Sequence, residues 1–176
     1  MSKLPLTEIA EFMTSHDLML TTAESCTAGL IAAHLADIPG AGKLLDSAFV
    51  TYSVEAKKRK LGVRAATIER CNLTSEEVAG EMVHGALRDS HANLAIANTG
   101  VTDDTDPAIP AGTQCFAWLF AARDGHAARL FTATEKFSGD RNEIREQAAR
   151  HALSKIPEHY RAFVQDPPAQ EKAADH

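Results

Sequence analysis

The order of elements along the chain predicts a three-layer α/β/α sandwich built around a mixed sheet. Apolar, strand-like runs alternate with stretches whose apolar residues recur at helical intervals. One run, "ANLAIANTG" at residues 92–100, is almost continuously apolar, as a strand covered on both faces must be. Asp124-Gly125 separates two further runs rich in β-formers, a turn signal that makes their strands antiparallel neighbours.

Each element has its own local reason. Residues 6–16, "LTEIAEFMTSH", bring Leu6, Ile9, Ala10 and Met13 onto one helical face, with Thr7 placed to cap it. "DLMLTTA" (17–23) reads as a buried strand. Helical spacing resumes from Thr27 to about Ala36 and stops before the turn dipeptide Pro39-Gly40. "SAFVTYS" (47–53) is a strand, and "VEAKKRKLG" a short helix ended by Gly62. Ser75 opens a longer helix to about Asp89, with Val78, Met82 and Leu87 at apolar positions. After the strand at 92–100 and a loop come the strands "TQCFAWLFAA" (113–122) and "ARLFTATEKF" (128–137). "GDRNEIREQAARHALSKI" (139–156) closes the pattern as a helix with Ile144, Ala148 and Leu153 inward.

Composition narrows the class. A chain of 176 residues, 44% hydrophobic and 24% charged, suits one soluble globular domain, here expected over residues 1–165. The polar, Pro- and Ala-rich end from Asp166, "DPPAQEKAADH", reads as a disordered tail. A net charge of −6 offers no general attraction to nucleic acid or to anionic membranes. No apolar run reaches the roughly 20 residues of a spanning helix, and "MSKLPLTEIAEFM" lacks a signal peptide's apolar core, so a cytoplasmic protein is expected. Cys26, Cys71 and Cys115 are odd in number and widely spaced, which argues against a disulfide framework or a structural zinc site.

The chemistry concentrates in "TAESCTAG", residues 22–29, which sets Ser25 on a small-residue turn between a strand and a helix. Helix-start amides there can serve a developing oxyanion beside a serine nucleophile. Ser25 or Thr27 can equally be a helix cap, and the segment alone leaves both readings open. A second segment, "VTYSVEAKKRK", ends a strand at Tyr52 and carries Lys57 about one turn into the next helix. A serine needs a base to become a nucleophile, and a lysine serves if burial or neighbouring positive charge lowers its pKa. Lys58, Arg59 and Lys60 supply such charge, although the same run also reads as a solvated basic face. Arg141, at the start of the last helix with Arg145 one turn on, suits an anion or is an ordinary surface arginine.

These residues carry a resemblance. "TTAESCTAGLIAAHLADIPGAGKLLDSAFVTYSVEAKKRKLGV", "LTSEEVAGEMVHGAL", "NTG", "AGTQCFAW" and "FSGDRNEIREQAARHAL" together resemble the CinA C-terminal domain family, the stand-alone nicotinamide-nucleotide amidases, over roughly residues 6–156. The resemblance implies hydrolysis of the carboxamide of nicotinamide mononucleotide to nicotinic acid mononucleotide and ammonia. It implies no metal or cofactor, a compact α/β/α sandwich, and a homodimer or higher homo-oligomer. Carried over by motif, Ser25 becomes the nucleophile, Lys57 the general base and Tyr52 a proton relay. Cys26, Thr27, Ala28 and Gly29, with Thr99 and Gly100, become the substrate-contacting backbone, and Arg141 and Arg145 the donors to phosphate. Cys26 is the less favoured alternative nucleophile.

Two departures from the family pattern matter. Its glycine-rich loop after "TG" is here "TGVTDDTDPAIPAGT", in which Asp103, Asp104 and Asp106 replace central glycines. Carboxylates facing a phosphate would repel it; facing a pyridinium ring they would attract it. The spacing of "DDTD" is unlike a calcium loop and reads as a solvated turn. Ala28 stands where the family has a glycine. The alternative function is therefore a catalytically altered paralogue that binds a nucleotide or a protein partner.

Overall fold

Five strands form one mixed sheet: β1 (Leu20–Glu24), β2 (Leu45–Val50), β3 (Leu94–Gly100), β4 (Thr113–Phe120) and β5 (Arg129–Lys136), side by side in the order β2-β1-β3-β4-β5. The computed structural model describes residues 5–165, and the tail expected from Asp166 lies outside the described residues. β1 runs parallel to β2 and β3, whereas β4 and β5 are antiparallel additions. The β4–β5 hairpin turns at Asp124 and Gly125, with φ of 50° and 82°, the left-handed pair that such a two-residue turn demands.

Side-chain size along the strands sorts the helices into two layers. Leu94 and Ile96 of β3 and Phe116, Trp118 and Phe120 of β4 point to one face. There they meet Ile9 and Met13 of α1 (Leu6–Ser15), Ile31 and Leu35 of α2 (Leu30–Ala36) and Ala148 and Leu153 of α6 (Arg141–Ser154). Ile156 and Phe163 of α7 (Ile156–Gln165) complete this layer. The alternate positions Ala95, Ala97 and Ala117 are small and let α5 (Glu76–Arg88) approach the other face through Val78, Met82 and Val83. Full burial of each large apolar side chain contributes about 1.5–3 kcal/mol. Trp118 also satisfies its one donor, on the Ala152 carbonyl at 2.8 Å. The expected three-layer sandwich is thus the observed one.

α3 (Val54–Leu61) sits in the second layer with α4 (Ala65–Cys71). Its start is capped by Ser53, whose Oγ accepts from Ala56 N at 3.1 Å. Its end packs on α5 at Gly85, where a Cβ would stand 2.1 Å from the Leu61 carbonyl oxygen. Only glycine allows that approach, and it fixes where α3 presents Lys57.

Four local expectations are corrected. Thr7 lies inside α1, whose N-cap position is Pro5 and has no side-chain cap. α2 begins at Leu30 rather than Thr27, because residues 25–29 are held in a turn. α4 forms where no helix was expected. The last helix stops at Ser154 and restarts at Ile156, since Pro157 lacks an amide hydrogen and fits only a first turn. Among the described residues no helix is long and apolar enough to cross a membrane.

Candidate active site

The chain leaves β1 toward β2 on one side and β3 toward β4 on the other, which makes the carboxyl ends of β1 and β3 the switch point at which open α/β sheets bind ligands. Ser25 follows β1 directly at that point. Its amide donates to the Asn98 carbonyl at 3.0 Å, and Thr51 N donates to the Glu24 carbonyl at 2.9 Å, so the sheet register places Ser25 between the ends of β2 and β3.

The turn after Ser25 is shaped from beneath by Glu24. This fully buried carboxylate accepts from Thr27 Oγ1 at 2.7 Å and from the amides of Gly29, Ile31 and Ala32 at 2.9, 3.1 and 3.0 Å. Glu24 therefore does the capping that the sequence had offered to Ser25 or Thr27. Ala28 and Gly29 complete the turn with φ of 48° and 96°, so the alanine occupies a left-handed position that suits glycine. The expected amide donors are largely committed. Thr27 N donates to Asn98 Oδ1 at 3.0 Å and Ala28 N to the Ser25 carbonyl at 3.0 Å. The amide of Cys26, just before them, is the one of the three that has no acceptor among the described residues.

Lys57 is fully buried and its Nζ lies 2.9 Å from Ser25 Oγ. Nζ also donates to the carbonyls of Thr51 at 2.6 Å and Tyr52 at 3.3 Å. No carboxylate pairs with it among the described residues. Burial alone pushes the amine down from 10.5 to about 8. The basic neighbours do not contribute as the sequence suggested: Lys58 faces outward and pairs with Glu55 at 3.0 Å. A neutral amine has two N–H groups and one lone pair. Two carbonyls for the former leave the latter aimed at the serine hydroxyl.

Cys26 is buried against Gln114, whose Nε2 donates to its Sγ at 3.4 Å, and burial raises its thiol pKa. That disfavours the thiolate a cysteine nucleophile needs.

The rim differs more from expectation. Tyr52 lies two residues beyond β2 and is 57% exposed. Its carbonyl touches Lys57, but its phenol accepts from Arg141 Nη2 at 2.8 Å. Arg141 Nη1 reaches Thr102 Oγ1 at 2.8 Å and Asp103 Oδ2 at 3.4 Å. The amides at the start of α6 are taken by Asp140 Oδ1, in a capping box completed by Glu143, so that helix start offers a phosphate its arginine rather than its backbone. Arg145 points inward, donating from Nε to the Cys26 carbonyl at 2.9 Å and from Nη2 to the Thr27 carbonyl at 3.3 Å. It braces the serine turn instead of standing free for phosphate. Thr99 is buried, with its hydroxyl on the Leu73 carbonyl at 3.1 Å. Gly100 ends β3, and a Cβ there would meet the Gln114 side chain at 2.3 Å.

The acidic loop divides its carboxylates. Asp103 pairs with Arg141. Asp106 accepts from Asn72 Nδ2 and Ala108 N, each at 2.9 Å, which holds its carboxyl below the usual range. Asp104 is exposed. Among the described residues no group of three or more His, Cys, Asp and Glu is placed to hold a metal ion. The residues that the sequence reading missed are Glu24, Asn98 and Gln114. The one available signal was polarity inside otherwise apolar strands, "LTTAE", "LAIAN" and "TQCFAW".

The CinA C-terminal domain family matches residues 4–160. Among relatives, the nicotinamide-nucleotide amidohydrolase PncC of Enterobacter agglomerans is 40% identical over 148 residues, which is 83% of this chain and 87% of that one. A putative competence-damage inducible protein of Symbiobacterium thermophilum is 38% identical over 84% of this chain but 36% of its own length, so the chain spans about a third of that longer relative. The crystal structure of a competence-damaged protein (CinA) superfamily protein from Klebsiella pneumoniae superposes with a TM-score of 0.83 at 34% identity, covering 90% of this chain and 96% of that one.

Proposed function

The chain belongs to the CinA C-terminal domain family, and from that we propose that it is an amidohydrolase acting on nicotinamide mononucleotide, yielding nicotinic acid mononucleotide and ammonia. The relatives named nicotinamide-nucleotide amidohydrolase support the substrate class. The observation that carries the reading is the buried Lys57 Nζ at 2.9 Å from Ser25 Oγ, with no counter-ion among the described residues and with its pKa lowered to about 8.

Neutral Lys57 takes the proton of the Ser25 hydroxyl as Oγ bonds to the carboxamide carbon. The Cys26 amide donates to the oxyanion; one such donor is worth about 2.7–4 kcal/mol of barrier. When the tetrahedral species collapses, the C–N bond breaks and Lys57 returns the proton to the departing nitrogen, which leaves as ammonia. Water then attacks the acyl ester with Lys57 again as base, releasing the carboxylic acid and restoring Ser25. Arg141 receives the substrate's phosphate. That exchange loosens Arg141 from the Tyr52 phenol, which turns inward and relays the Lys57 proton, its hydroxyl accepting that proton as it gives its own to the departing nitrogen. In this reading the protein is a cytoplasmic homo-oligomer.

Ammonia release from nicotinamide mononucleotide by the wild type and by Ser25→Ala tests the proposal. Turnover that vanishes in the variant supports it; turnover that persists overturns it. The Asp103–Arg141 contact favours a second reading, nucleotide binding without turnover. An inactive wild type that binds the nucleotide in calorimetry would establish that instead.

A further inference from the structure

Beneath the serine turn lies a second buried polar pair, Asn98 on β3 and Gln114 on β4, both with no exposed surface. Asn98 holds the turn at two points, through its carbonyl to Ser25 N at 3.0 Å and through Oδ1 to Thr27 N at 3.0 Å. Its Nδ2 donates to Gln114 Oε1 at 2.9 Å. Gln114 Nε2 in turn donates to the Val101 carbonyl at 3.0 Å and to Cys26 Sγ at 3.4 Å. Each contact sets the orientation of the next. The Thr27 N–H requires an oxygen, which turns the Asn98 nitrogen to Gln114, which turns the Gln114 nitrogen to Val101. Gly100 leaves the space that the Gln114 carboxamide occupies.

The consequence falls on the residue between the two anchors. With the amides of Ser25 and Thr27 both drawn down onto Asn98, the Cys26 amide is held beside Ser25 with no acceptor among the described residues. We propose that Asn98, oriented by Gln114, is a positioning residue of the hydrolytic site, and that it sets the direction of Ser25 Oγ and of the Cys26 amide together. This rests on Ser25 being the nucleophile. A buried asparagine is an expensive choice for a sheet interior unless its groups are used, and here each of its side-chain polar atoms has a partner.

The test follows Ser25 with a fluorophosphonate probe, the modified residue being identified by mass spectrometry, alongside kcat and KM for nicotinamide mononucleotide. Asn98→Leu removes the side-chain acceptor at similar volume. It is expected to slow labelling at least tenfold and to lower kcat by a similar factor, with KM within twofold. The pH at which labelling rises is expected to stay at its wild-type value, because Lys57 keeps its burial; general loosening would admit water and move it upward. Asn98→Asp retains the Oδ1 acceptor and, protonated in its buried place, still donates to Gln114 Oε1, so it is expected to recover part of the rate. Gln114→Met, a milder change that leaves both Asn98 contacts to the turn, is expected to slow labelling severalfold.

Wild-type labelling rates in folded Asn98→Leu or Gln114→Met would overturn the inference and leave the amidase reading intact. Rapid labelling of wild-type Ser25 without hydrolysis of the nucleotide would overturn the substrate assignment and leave the inference standing. No labelling of wild-type Ser25 would overturn both.

Discussion

If Lys57 is the base, activity must follow its deprotonation. At about 8 the amine is neutral in about one molecule in ten at pH 7 and about nine in ten at pH 9. At the ordinary 10.5 the neutral fraction at pH 7 would be about one in three thousand, so burial raises the reactive population about 300-fold. The ammonia-release rate, as kcat/KM between pH 6 and 10, is therefore expected to climb about tenfold from pH 7 to 9 and then level off. Lys57→Met removes the rising limb and costs about 10²–10⁴ in kcat. Stability has the same sign. The folded pKa is depressed, so between about 8 and 10.5 the unfolded chain holds the extra proton and stability rises with pH across that window. A flat profile, or one still climbing about tenfold per pH unit at pH 10, would refute the role of a Lys57 lowered to about 8.

Other consequences can be checked by denaturation and kinetics together. Ala28→Gly releases a left-handed alanine and is expected to stabilise by about 1 kcal/mol in urea titration; a loss of that size would contradict the strain. Gly85→Ala drives a methyl into the Leu61 carbonyl, so α3 must move; a loss of about 1–3 kcal/mol is expected together with a fall in kcat, as Lys57 shifts from Ser25. His159 is wedged between Trp118 and Phe131, each ring 4.6 Å away, and burial lowers its pKa to about 4. Stability is then expected to fall as pH drops from 6.5 toward 4, because the unfolded chain takes up the proton first, and His159→Phe should flatten the melting temperature over that range.

The periodicity of residues 6–16 and 139–156, the apolar run at 92–100 and the Asp124-Gly125 turn were enough to determine the layers, because helix and strand burial are written in local spacing. Ser25 and Lys57 stood at strand–helix junctions, where a helix cap and a solvated basic face were equally open readings, and only the family resemblance gave them roles. Their pairing across 32 residues, and the burial that lowers the lysine, belong to the packed state alone. The same holds for what surrounds them. Asn98 meets Thr27 from 71 residues away and Arg145 meets Cys26 from 119, so no local pattern distinguishes a brace from a free ligand group. Sequence spacing could nominate Arg145 for phosphate and the helix start for the oxyanion. Only the tertiary structure could show Arg145 on carbonyls and the helix start on Glu24. A buried polar group takes whichever partner the fold brings within reach: for Glu24 the turn that follows it, for Asn98 and Arg145 a segment that only strand order and helix packing bring alongside.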